Sequence, residues 1–204
     1  DLLQRGMGLS ATELHDIFAE WNEGKLKSYL IQITAEIFTK MDEETGRPLV
    51  DMILDEAQQK GTGKWTSWDA LELQMPTPTI DAAVVARDLS GYKSERESAS
   101  KVLHGPKPNF SGDKAELIGR LKNALYTSVI ITYAEGMALL KGASEGYHYG
   151  LDLEAVARIW RGGCIIRAAL LEDIRAAFRA QPGLSNLILD PKLARELLAR
   201  QQDL

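Results

Sequence analysis

Over Asp113–Gly142 the apolar residues Leu117, Leu121, Leu125, Val129, Tyr133 and Met137 succeed one another at four-residue intervals. The run Val129-Ile130-Ile131-Thr132-Tyr133, taken alone, favours a strand, because β-branched and aromatic side chains suit a pleated surface. The stripe continues on both sides of it with no turn signal, so the whole stretch reads as one long amphipathic helix. A chain built around such a helix needs other helices to cover the stripe. No series of segments shows the clean alternation of a sheet, and the fold class is therefore all-α, with short connections that favour antiparallel helix pairs.

The other segments fit that reading. Ser10-x-x-Glu13 is a capping-box pattern opening a helix through Trp21. Leu26, Leu30, Ile33 and Ile37 lay out a second helix, followed by the charged loop Asp42–Pro48. Helices are predicted over Leu49–Gln59, Trp68–Met75, Thr79–Ser90, Leu153–Trp160, Cys164–Ala180 and Pro191–Gln201. Asp190-Pro191 supplies the last with an N-cap and a first-turn proline. Leu103–Gly112, with Gly105, Pro106, Pro108 and Gly112, is the best internal boundary.

Leu14–Gly24 has an echo in Leu153–Gly163, with Leu14 opposite Leu153, Ile17 opposite Val156, Trp21 opposite Trp160 and Gly24 opposite Gly163. Each copy then runs into an amphipathic helix. Chance similarity between two amphipathic helices is the rival; the Trp and Gly matched in place favour a duplicated helix–Trp–Gly–helix unit. Extended backwards, the match sets Leu2–Arg5 opposite Leu139–Gly142, the end of the long helix. The expectation is that residues upstream of Asp1 are missing, including the equivalent core helix.

A net charge of −5 argues against a general nucleic-acid or anionic-membrane surface. No apolar run is long enough to span a bilayer, and the N-terminus lacks a signal-peptide pattern. Cys164 is the single cysteine, and His15, His104 and His148 have no metal-ligand spacing, so no metal site is read. Cys164, with apolar neighbours, reads as a packed thiol. The cytoplasm is the natural setting.

Three motifs bear on chemistry. Gly6-Met7-Gly8-Leu9-Ser10-Ala11 fits the dinucleotide fingerprint but has no preceding strand, so a helix C-cap turn followed by a new N-cap is the better reading. Lys60-Gly61-Thr62-Gly63-Lys64 lacks the Walker A frame, and Trp65 stands where a Ser or Thr would bind magnesium. Its lysines, with the hydroxyls of Thr62, Thr66 and Ser67, suit a phosphate or a polyhydroxy acid. On local chemistry alone a solvated surface loop is the commoner fate. Arg87 ends an apolar helical stretch. Its planar fork suits a phosphate or carboxylate, and a salt bridge or a solvated side chain is the usual alternative.

Together these residues resemble the 6-phosphogluconate dehydrogenase family. The resemblance covers essentially the whole chain and is carried most specifically by Lys60-Gly61-Thr62-Gly63-Lys64-Trp65-Thr66 and Trp160-Arg161-Gly162-Gly163-Cys164-Ile165-Ile166-Arg167. Tyr133-Ala134-Glu135-Gly136-Met137 and Ala99-Ser100-Lys101-Val102-Leu103 add to it, and Lys60 and Arg87 stand at the family's spacing. The sequence departs from the family pattern at Trp68, Gln74-Met75-Pro76 and Asp88–Tyr92.

The resemblance implies that residues 1–204 form the all-helical C-terminal domain, with a duplicated helical unit, of an enzyme whose N-terminal Rossmann domain is absent here. It implies a pentose-phosphate-pathway oxidoreductase that converts 6-phosphogluconate to ribulose 5-phosphate and CO2 with reduction of NADP. The coenzyme would be held mainly by the missing domain, no metal would be used, and the enzyme would be a homodimer. Lys60, Thr62 and Arg87 match the family's substrate-binding positions. The family's catalytic lysine and glutamate would lie upstream of Asp1, and its C-terminal tail after Leu204, so the chain alone should be inactive. Two alternatives stay open. One is a stand-alone helical dimerisation or scaffold module. The other is a β-hydroxyacid dehydrogenase for another sugar acid, against which the Lys-Gly-Thr-Gly-Lys loop argues.

Overall fold

A computed structural model describes residues 1–58, 60–105 and 110–204. The chain folds as nine α-helices: α1 (Ala11–Asn22), α2 (Tyr29–Ile37), α3 (Thr62–Glu72), α4 (Pro78–Ser90), α5 (Lys93–Val102), α6 (Lys114–Gly146), α7 (Leu153–Ile159), α8 (Leu170–Ala180) and α9 (Pro191–Leu198), all counted among the described residues. Short turns of π-helix (Leu2–Gly6) and of 3-10 helix (Leu49–Met52, Leu187–Leu189, Gln201–Asp203) fill in between. Among the described residues there is no strand, only two isolated bridges, so the chain is all-α.

Two compact units divide the chain. One comprises Asp1–Ile53, Pro108–Ile130 and Asp152–Leu204; the other comprises Leu54–Lys107 and Ile131–Leu151. In the first, α1 packs on α2 and α7 on α8. The first pair buries Leu14, Trp21, Ile31 and Ala35, and the second Leu153, Ala157, Leu171, Ile174 and Phe178. Each pair thus spends its apolar stripe on its neighbour, as amphipathic helices joined by short loops do. α1 starts at the expected capping box: Ser10 Oγ accepts from the Glu13 N–H, and the Glu13 carboxylate accepts from the Ser10 N–H at 2.7 Å. α9 starts at Asp190, whose carboxylate accepts from the Lys192 and Leu193 N–H groups.

The echo in sequence has a structural counterpart. The Tyr29 N–H donates to the Arg167 carbonyl (3.1 Å) and the Ala169 N–H to the Lys27 carbonyl (2.8 Å), pairing Ser28 with Ala168. The offset that takes Leu14 to Leu153 takes Ser28 to Arg167, so the two copies meet through nearly equivalent positions of their connectors. The copies have also diverged: Trp21 is buried, while Trp160 is half-buried.

Three predicted boundaries are corrected. Leu49–Gln59 is not a helix: a 3-10 turn ends at Met52, Ile53 is extended, and Gln59 lies outside the described residues. Backbone partners there are non-local, for Ala57 N–H donates to Ser90 Oγ. The segment Cys164–Ala169 is not helical either; the Arg167 carbonyl and the Ala169 N–H serve the Ser28–Ala168 bridge, and the helix begins only at Leu170. The short helix expected at Trp68 begins at Thr62 instead. The expected break at Leu103–Gly112 falls in part on residues 106–109, which lie outside the described residues.

Candidate substrate-binding site

The Lys60–Lys64 glycines have specific backbone work to do in the second unit. Gly61 sits at φ +100°, a conformation open to glycine and strained for other residues, and is the residue from which α3 springs. A Cβ there would lie 3.1 Å from the Trp65 indole, which folds back over Gly61. Two residues on, Gly63 sits so close to α4 that a Cβ would stand 3.1 Å from Val84 Cγ2. The two glycines therefore turn the chain sharply and press the start of α3 against α4.

One polar contact joins the same pair of helices, and a second steadies its acceptor within α4. Ser67 Oγ donates to Asp81 Oδ1 (2.6 Å), and Thr77 Oγ1 donates to Asp81 Oδ2 (3.2 Å). The first turn of α4 has no side-chain cap of its own. Its free N–H groups are met from α6 by the buried Glu135 carboxylate, which accepts from Thr79 and Ile80 at 3.0 Å. Glu135 supplies acceptor charge where helix N–H groups lack intrahelical partners. Farther along, Gly142 and Gly146 of α6 let Met75 and Leu73 approach closely.

Between α3 and α4 lies an open depression of about 570 Å³, lined by Ala57, Gln58, Lys64, Ser67, Val84, Arg87, Asp88 and Gly91. Arg87, in the last turn of α4, is one of these lining residues. Lys60 and Thr62 are exposed at the approach to α3 and are not among the lining residues. Lys64, two residues after Thr62 in α3, is. Neither Lys64 nor Arg87 makes a hydrogen bond or ion pair among the described residues, whereas Lys93 and Arg96 are both engaged by Asp55. That engagement holds the Asp55 carboxyl well below its usual range, through hydrogen bonds from Arg96 and then Lys93.

The remaining motif residues are structural. Gly6–Ala11 spans the end of a π-helical turn, Gly8 at φ +70° and the Ser10 capping box. That is not the strand–turn–helix cradle a dinucleotide pyrophosphate needs. His15 Nδ1 lies 2.9 Å from the Ala35 carbonyl and ties α1 to α2. Cys164 Sγ contacts the Trp160 carbonyl at 3.0 Å, and the Arg167 guanidinium lies over the Tyr29 ring, 3.8 Å from its centroid. Glu135 went unassigned a role in the sequence; an acidic residue amid an apolar stripe is the signal that marks it.

Comparison with known proteins places this architecture. A family model described as 6-phosphogluconate dehydrogenase, C-terminal domain, matches residues 1–204. The chain belongs to that family. Among named members, the decarboxylating 6-phosphogluconate dehydrogenase of Synechococcus elongatus is 54% identical over 204 residues, covering 98% of this chain and 43% of that protein. The NADP(+)-dependent, decarboxylating 6-phosphogluconate dehydrogenase of Bacillus subtilis is 56% identical over 191 residues, covering 93% of this chain and 40% of that protein. In structure, the chain superposes on Plasmodium falciparum 6-phosphogluconate dehydrogenase with a TM-score of 0.94 and 40% identity, over 99% of this chain and 44% of that one. That enzyme was described in its apo form and in complexes with its cofactor NADP+ and its substrate 6-phosphogluconate. The chain therefore spans less than half the length of these 6-phosphogluconate dehydrogenases. Among its described residues no helix is long and apolar enough to cross a membrane.

Proposed function

We propose that this chain is the substrate-binding and subunit-contact part of a cytoplasmic, NADP-dependent enzyme that oxidatively decarboxylates 6-phosphogluconate to ribulose 5-phosphate and CO2. The observation that carries the reading is the match of all 204 residues to the family's C-terminal domain, including the Lys60–Trp65 loop and Arg87. The substrate bears a phosphate and a carboxylate, and fixed cations with hydroxyl donors are what such a molecule requires. Lys60 and Arg87 supply charge, and Thr62 a hydroxyl. The chain spans 40–44% of the length of the relatives it matches, and the reading assigns the hydride acceptor and the catalytic acid and base to the remainder of such an enzyme.

A homodimer is part of the reading. Trp68 and Leu71 on α3, with Val85 and Leu89 on α4, are each more than half exposed, as a subunit contact requires of the free chain.

The test uses the full-length enzyme. Lys60→Ala and Arg87→Ala should each raise KM for 6-phosphogluconate about tenfold or more, the scale of one lost charge-assisted hydrogen bond. Unchanged KM in both variants overturns the assignment. The 204-residue chain alone should reduce no NADP; measurable turnover by it would contradict the division of labour.

A further inference from the structure

Lys64 is a second cation in the depression that holds Arg87, and nothing in the family resemblance assigned it a role. Two contacts bracket it on α3. One residue before it, Gly63 lies against Val84 of α4; three residues after it, Ser67 donates to Asp81 of α4. The backbone that carries Lys64 is thereby held against the helix that carries Arg87. Both side chains line the same cavity, and neither has a hydrogen bond or ion pair among the described residues. Asp88 is the one carboxylate in the lining and has an interaction of its own.

Lys64 and Arg87 are both exposed, and two cations that line one open cavity with no ion pair of their own leave their charge and donors for an anionic ligand. The pair also matches a particular anion. A phosphate monoester carries close to two negative charges at neutral pH and has three acceptor oxygens. A guanidinium meets two of these as a planar fork, and an ammonium meets the third as a point charge with rotatable donors. A carboxylate, with one charge and two oxygens, is satisfied by the fork alone.

Resting on the proposed function, we infer that Lys64 joins Arg87 in binding the phosphate end of the sugar acid and sets the preference for a phosphorylated over an unphosphorylated substrate. The inference adds a specificity-determining residue to the site and explains why the loop carries a second lysine.

The experiment compares full-length wild type with Lys64→Met, Lys64→Arg and Arg87→Met, the last as reference. KM and kcat are measured for 6-phosphogluconate, and inorganic phosphate is used as a competitive probe. Lys64→Met should raise KM about tenfold with kcat within about twofold, and should weaken phosphate inhibition by a similar factor. Lys64→Arg, which keeps the charge, should recover most of both. Three results overturn the inference. One is Lys64→Met at wild-type KM. Another is a raised KM with unaltered phosphate inhibition, and the third is failure of Lys64→Arg to restore either. If Lys64→Met is silent while Arg87→Met loses affinity, the proposed function stands without this residue. If Arg87→Met and Lys60→Ala are silent as well, the proposed function falls with it.

Discussion

The Glu135 carboxylate accepts the backbone N–H of Thr79 at 3.0 Å through both of its oxygens, and so closes the start of a helix that lies 56 positions away in the chain. One oxygen also takes the Ile80 N–H. Glu135 is buried, and α4 has no local cap. A single side chain therefore ties α6 to the helix that carries Arg87.

Glu135→Ala should destabilise the protein by about 1–3 kcal/mol, because it strands two part-buried donors and removes the charge at a helix N-terminus. Glu135→Gln keeps one acceptor oxygen and should lose less. Urea unfolding midpoints of the three proteins give the order. An alanine variant as stable as wild type would remove the helix-closing role from Glu135.

Gly61→Ala should lower stability by about 1 kcal/mol or more, since alanine at φ +100° is strained and its methyl meets the Trp65 ring. The damage should extend to binding, because Gly61 sets where α3 starts and so where Lys64 stands. In the full-length enzyme the expected signature is a raised KM together with a lower thermal midpoint. Trp65→Ala, which frees the space but not the dihedral, should restore neither fully when combined with Gly61→Ala.

Glu154 gathers Arg175 and Arg179 of α8, at 2.8 and 2.9 Å, onto α7. The Arg175 hydrogen bond, ahead of the other causes, holds the Glu154 carboxyl below its ordinary value. A carboxyl depressed in the folded state binds fewer protons there than in the unfolded chain. Its contribution is complete above the ordinary glutamate range and is lost as pH falls through the lower folded value. Denaturant midpoints should therefore drop as pH is taken below about 4.5, and Glu154→Gln should flatten part of that slope. Equal slopes in the two proteins would show that the pair makes no contribution to acid stability.

Large-to-small change in the first unit should be severe. Leu171 is fully buried in the α7–α8 pair, and Leu171→Ala should cost about 2–5 kcal/mol through lost burial and a residual cavity. A surface position such as Leu189, 61% exposed, should tolerate the same change within about 0.5 kcal/mol. Equal losses at the two positions would contradict the assigned core.

Much of this protein is determined locally. The four-residue stripe of α6, the Ser10–Glu13 capping box and the Asp190-Pro191 start of α9 all act within a few residues, and each is where the sequence predicts it. The Leu14–Trp21 echo is legible for the same reason: apolar spacing and a Trp-Gly pair are properties of the chain itself. What only the tertiary structure decided depends on partners far away in sequence. Arg167 spends its carbonyl on Tyr29 and Ala169 its N–H on Lys27 rather than on a helix, and Ala57 spends its N–H on Ser90. Glu135 closes α4 across the unit, and Gly63 against Val84 brings Lys64 beside Arg87. Helical periodicity records which face of an element is apolar; it holds no record of which distant amide or carbonyl will compete for a backbone group. That competition is settled only when the helices pack.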